Sequence, residues 1–213
     1  MGITIFAVSG LNLFDLFQRG GYFMWPLLIC SVLAVAGVLD RLFFFFFRQR
    51  YRMSGVLAGA KNAFEADKGS ASLSENRDPV SRIAAVYFDN LDQTTEHRRN
   101  VIQREAGFHL GLAERRIRLL STVAALSPLI GLLGTVWGMV EAFASIETLE
   151  QVKPADVAGG IWSALLTTVF GLVVAIPAVA VTRWAEARIE KLGRDMNLIV
   201  SHLDDWTGRT TQL

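Results

Sequence analysis

The chain has 213 residues, 52% of them hydrophobic and 19% charged, with a mean hydropathy of +0.35. That is too apolar for an ordinary soluble domain of this length, so a membrane protein is indicated before any motif is read. The formal net charge of +1 offers no basic field for nucleic acid, and a lone cysteine, Cys30, excludes an internal disulfide and reads as a small packing residue.

Residues 1–21 carry neither a basic start nor a small-residue cleavage site, so a cleaved signal peptide is not expected. Leu13, Phe14, Leu16 and Phe17 beside Asp15, Gln18 and Arg19 predict a short amphipathic helix lying in the membrane interface, ended by Gly20-Gly21. Residues 22–47 form the first predicted span. Tyr22 and Trp25 anchor one end, Asp40-Arg41 the other, and Pro26 falls in the first turn, where a missing N–H costs little. Phe43 to Phe47, followed by Arg48, Arg50 and Arg52, read as an interfacial exit.

Residues 48–118 are polar and predicted to be helical, split by a Gly/Ser/Asn-rich loop from Lys68 to Pro79. Asp78 before Pro79 reads as a helix N-cap with proline at the first helical position. From Val80 to Arg118 the apolar residues Ile83, Val86, Tyr87, Leu91, Val101, Ile102 and Leu112 recur among charges. With only Gly107 and Gly111 as weak breakers, one helix is expected to run on into the membrane.

Two long apolar runs follow, at 119–145 and 157–183, separated by a short turn at 146–156. About 20 apolar residues cross a hydrocarbon core, so each is a transmembrane helix. Helices gain little from burying apolar surface against each other in lipid, so close packing requires small residues that let backbones approach. Gly131, Gly134 and Gly138 make such a stripe on the first run, and Gly160, Ser163, Ala164, Thr167 and Gly171 make one on the second. Residues 184–213 continue the last helix, with Ile189, Leu192, Met196, Ile199 and Leu203 at the spacing of a packed face whose natural partner is the 80–118 helix.

Lys and Arg set the orientation. Arg48 to Arg118 holds thirteen and Arg183 to Leu213 five, whereas only Arg19 precedes the first span and only Lys153 lies in the turn. The positive-inside rule then puts the N-terminus and the turn outside, and the long loop and C-terminus in the cytoplasm.

No phosphate-binding loop, paired metal-ligand spacing or nucleophile elbow is present. His97, His109 and His202 stand apart at polar helix positions and read as solvated surface. Catalysis therefore has no candidate constellation, and no metal or cofactor is expected. The informative groups are the polar ones inside the spans, because a hydroxyl or carboxyl in hydrocarbon requires a partner or water. Glu141 is the only acid of the second span, and it reads either as a proton-gathering group at an outer mouth or as a side chain hydrated at the interface.

The run Leu126-Ser127-Pro128-Leu129-Ile130-Gly131-Leu132-Leu133-Gly134-Thr135-Val136-Trp137-Gly138-Met139 is followed by Gly160-Ile161-Trp162-Ser163-Ala164-Leu165-Leu166-Thr167-Thr168 and Gly171-Leu172-Val173-Val174-Ala175-Ile176-Pro177. Together they resemble the MotA/TolQ/ExbB proton-channel family, most closely its ExbB/TolQ branch. The resemblance implies an all-α inner-membrane protein with three transmembrane helices and long cytoplasmic helical extensions, assembled as a pentameric ring. It implies a ring around the single spans of two ExbD/TolR-like partner chains in the lipid bilayer, a TonB- or TolA-like periplasm-spanning protein as a further partner, and conversion of proton-motive force into mechanical work. Thr135 and Thr168 match the family's pore-facing threonines, and Pro128 and Pro177 its helix prolines.

One departure stands out. Where ExbB- and TolQ-like proteins usually carry a pore-facing glutamate, this chain has Ser163, which does not titrate near neutral pH. In the MotA branch the membrane acid belongs to the partner, so by analogy Ser163, Thr167 and Thr168 line a path for a proton carried by a partner aspartate. The alternatives are a ring scaffold that no longer conducts and a MotA-like motility stator subunit.

Overall fold

The computed structural model describes residues 13–43, 53–65, 73, 78–147 and 154–208. The expected aromatic exit at 44–47, loop residues 68–72 and 74–77, and turn residues 148–153 lie outside these. The described residues form helices and no strands: α1 Leu13–Arg19, α2 Met24–Phe43, α3 Met53–Glu65, α4 Pro79–Asp89, α5 Thr95–Glu147 and α6 Pro154–Thr207. Three are long and apolar enough to cross a membrane: α2, α5 and α6.

The chain divides into two compact units, one made of residues 1–38 and 119–181 and the other of 39–118 and 182–213. In the first, α1 ends as expected at Gly20-Gly21, where Gly21 takes a φ of 71° that a residue with a Cβ rarely adopts. Phe17 packs edge-on against Trp25 beyond that turn. Ala34 of α2, Leu120, Val123 and Ala124 of α5, and Val174 and Ala178 of α6 are buried together, with Cys30, Val38 and Val181 at their margin. Cys30 is thus the small packing residue its neighbours predicted.

The second unit has its core where the stripe on 184–213 predicted. Leu192, Met196, Ile199 and Leu203 of α6 pack against Val80, Ile83, Ala84 and Tyr87 of α4 and Ile102 of α5. Ile189 joins Ala113 and Ile117 in a smaller cluster. Asp78 caps α4 as expected, its Oδ1 accepting from the Ser81 N–H at 2.8 Å.

The helix expected from Val80 through Arg118 is broken. Residues 90–94 form a turn between α4 and α5 without glycine or proline. Asn90 closes α4, its side-chain amide donating to the Val86 carbonyl at 2.8 Å, and Thr94 opens α5, its hydroxyl accepting from the His97 N–H at 3.3 Å. Local side-chain bonds thus substitute for the helical ladder on both sides of the gap. From Thr95 the helix does continue into the second apolar run, as expected.

Other departures concern single residues. Arg41, read as an interfacial anchor, is wholly buried and ion-paired with Asp40. Leu112, one of the apolar residues recurring along 80–118, is half exposed. His109 is partly buried, 3.4 Å from the Glu105 carboxylate, and His202 is partly buried and stacks on Trp206, so His97 alone of the three is exposed as expected.

Candidate functional site

The α5/α6 pair is built around its small residues. A Cβ added to Gly171 would lie 2.7 Å from the Ser127 carbonyl oxygen, and one on Gly131 would lie 2.8 Å from the Thr167 carbonyl oxygen. One on Gly134 would meet the Thr167 side chain at 2.6 Å, and one on Gly138 the Ala164 Cβ at 3.1 Å. Gly160 is in the same position against Ala142. These contacts set an antiparallel register in which 127 lies opposite 171, 134 opposite 167, 138 opposite 164 and 142 opposite 160.

Both prolines sit inside their helices, Pro128 in α5 and Pro177 in α6. Each deletes one i→i−4 hydrogen bond. Beside Pro128, the Ser127 hydroxyl donates to the Val123 carbonyl at 2.7 Å.

The hydroxyls differ in what they touch. Thr167 is 1% exposed and donates to the Ala164 carbonyl at 2.7 Å and, across the pair, to the Gly131 carbonyl at 3.1 Å. Thr168 donates to the same Gly131 oxygen at 3.1 Å. Thr135 bonds back to the Leu132 carbonyl at 2.6 Å and lines an open groove with Val136, Met139, Val140 and Phe143. Glu141 is exposed and accepts a 2.7 Å bond from the Trp137 indole N–H.

Helical geometry divides these groups between two flanks. Residues advance about 100° each around a helix, so Ser163 shares a face with Val174 and Val181, eleven and eighteen positions on. Val174 and Val181 pack with α2 residues, and the Ser163 hydroxyl lies 4.0 Å from where a Cβ on Gly21 would stand. Ser163 therefore faces the α1–α2 turn. Thr168, five positions on, points about 140° away. On α5, Trp137 packs on Phe23 at 6.4 Å between ring centroids and takes Glu141 with it toward α2, whereas Thr135 turns to the opposite flank. Because the helices are antiparallel, Thr135 and Thr168 emerge on one side of the pair, and Ser163 and Glu141 on the other. Thr167 lies between them in the contact itself.

The analogy with the MotA branch groups Ser163 with Thr167 and Thr168, yet at 100° per residue Ser163 stands about 40° from Thr167 and about 140° from Thr168. Sequence reading passed over Trp137, whose i,i+4 spacing to Glu141 was the available signal. Among the described residues, no three His, Cys, Asp or Glu side chains cluster as a metal site.

The sequence model of the MotA/TolQ/ExbB proton channel family matches residues 75–197. The chain is 32% identical over 211 residues to the biopolymer transport protein exbB1 of Vibrio cholerae, covering 92% of this chain and 90% of that one. It is 34% identical over 151 residues to the biopolymer transport protein ExbB of Salmonella typhimurium, covering 64% and 60%. To the Tol-Pal system protein TolQ of Haemophilus influenzae it is 39% identical over 94 residues, covering 44% and 40%.

Proposed function

The chain belongs to the MotA/TolQ/ExbB proton channel family, in its ExbB/TolQ branch, and from that premise we propose that it is the ion-conducting ring subunit of an inner-membrane motor. Five copies surround the single spans of two ExbD/TolR-like chains. The N-terminus and the turn near 150 face the periplasm, and the loop at 48–118 and the C-terminal helix face the cytoplasm. A TonB- or TolA-like protein carries the work outward.

The observation that carries this reading is the α5/α6 pair. Its glycine-lined contact makes it a stiff unit, and it presents Thr135 and Thr168 together on the flank away from α2. Hydroxyls on such a wall serve a proton that a partner aspartate carries past them. Once neutralised, that carboxyl no longer pays the penalty of a charge in a low-dielectric wall, and the partner is free to shift against the ring. Ser163 faces its own subunit's turn, and the mobile proton sits on the partner.

The experiment is proton entry into vesicles carrying the chain with its single-span partner. Thr168→Ala is expected to lower flux at least tenfold, while assembly is unchanged. A scaffold that no longer conducts is favoured by one observation: the Thr167 and Thr168 hydroxyls are already engaged by the Gly131 carbonyl. It predicts that Thr168→Ala and Ser163→Glu are both silent.

A further inference from the structure

Across 24–39, 119–146 and 157–182, one side chain is an Asp, Glu, Lys, Arg or His: Glu141. Its carboxylate is not left to wander. Trp137, one turn earlier, donates its indole N–H to Oε1 at 2.7 Å, and the Trp137 ring is itself held against Phe23 at the start of the first span. A helical side chain leans toward the N-terminus of its helix, so this bond draws the carboxylate inward from the end of α5 at Glu147. Tryptophan is a rigid donor with no acceptor function, so it holds the carboxylate without competing for the proton.

The Ser163 hydroxyl lies on the same flank and at the same depth. Ala164 beside it meets Gly138, and Ala142 beside Glu141 meets Gly160, so Ser163 and the Trp137–Glu141 pair sit within one turn of each other. Gly21, at φ 71°, brings the α1–α2 turn close to Ser163. The ionisable groups of the elements around this flank are Asp15 and Arg19 on α1, Tyr22 in the turn, and Cys30, Asp40 and Arg41 on α2, the last two near its C-terminal end. Between 157 and 182, α6 contributes none.

We infer that Trp137 is a positioning residue that holds Glu141 as the outer proton acceptor, which gathers protons on the flank of Ser163 before the partner aspartate carries them past Thr135 and Thr168. The inference rests on the conducting reading proposed above. Oε1 stays bonded to the indole, while Oε2 takes one proton from an external hydronium ion, becomes a neutral carboxyl, and passes the same proton to the partner aspartate, regaining its own charge.

The test uses right-side-out vesicles bearing the full chain with its single-span partner, given an acid pulse outside and read with trapped pyranine. Trp137→Phe and Glu141→Gln are each expected to cut the inward rate about tenfold, the worth of one charge-assisted hydrogen bond. The double variant should be no slower than Glu141→Gln alone, and Trp137→Gln, which keeps an N–H donor, should recover flux. In ultraviolet resonance Raman spectra, the difference between wild type and Trp137→Phe should show a hydrogen-bonded indole that is lost in Glu141→Leu. Wild-type rates in Trp137→Phe, multiplying losses in the double variant, or failure of Trp137→Gln to recover flux each overturn the positioning role. Wild-type vesicles no leakier than empty ones overturn the conducting reading itself and this inference with it.

Discussion

Thr167 and Thr168 donate to one carbonyl oxygen but differ in burial, and the proposed function gives them separate duties. Thr167 is sealed in the α5/α6 contact, so Thr167→Val should lower the thermal stability of the detergent-purified chain by about 1 kcal/mol, the net worth of a buried hydrogen bond, and leave proton flux intact. Thr168 sits at the edge of that contact, and its alanine variant should do the reverse. Equal flux losses in both variants would contradict the assignment. In the other unit, the buried Tyr87 hydroxyl donates to Asp204 at 2.7 Å and bonds Thr207 at 2.8 Å, with the Arg98 guanidinium 5.2 Å from its ring centre. Burial, assisted by the Asp204 carboxylate, holds the phenol above its ordinary value. The folded chain therefore keeps this proton where the unfolded chain has lost it. The stability it supplies is complete below about pH 10 and lost as pH rises through the folded value. Tyr87→Phe should cost about 2 kcal/mol near neutrality and flatten the alkaline fall in melting temperature. An unchanged alkaline slope would assign that fall to other groups.

At the scale of elements, the glycines separate into two kinds. Gly171 stands 2.7 Å, measured from an added Cβ, from the Ser127 carbonyl oxygen, which is backbone and cannot step aside, whereas an added Cβ on Gly111 meets nothing within 4 Å. Gly171→Ala should therefore force α5 and α6 apart and lower the melting temperature. Gly111→Ala should raise stability by about 1 kcal/mol through helix propensity alone. Thermal unfolding of the two purified variants checks both, and a stabilised Gly171→Ala would contradict the packing. The apolar runs, the glycine stripe, the Asp78 cap and the core face of 184–203 were all legible in the sequence, because each is a local pattern repeated at helical spacing. The break at 90–94 was not read, because Asn90 and Thr94 end helices through side-chain bonds, which are weaker signals than glycine or proline, although Thr94 is a recognisable N-cap residue. The α3 helix at Met53–Glu65 was likewise not resolved within the polar segment.

For the whole molecule, the reading of the ends follows from basic residues alone. A cysteine placed by Gln151→Cys, in a chain with Cys30→Ser, should react with an impermeant maleimide added outside intact cells, and one placed by Ser201→Cys should not. The reverse pattern would invert the topology. What no spacing in the chain could reveal is the pairing of distant groups: Tyr87 with Asp204, 117 positions apart, or the α1–α2 turn with Ser163. The flank assignment of the candidate path depends on such contacts. Ser163 and Thr168 lie on different flanks of the helix pair, while Thr135 and Thr168 share one.

In the proposed motor this chain forms a ring around a partner that carries the proton. Native mass of the detergent-solubilised complex, purified with and without its single-span partner, tests it most directly. Five 23.5 kDa chains are expected in both preparations, with two partner chains added in the second. A monomer or dimer in both would contradict it and remove the shared wall on which Thr135 and Thr168 are placed.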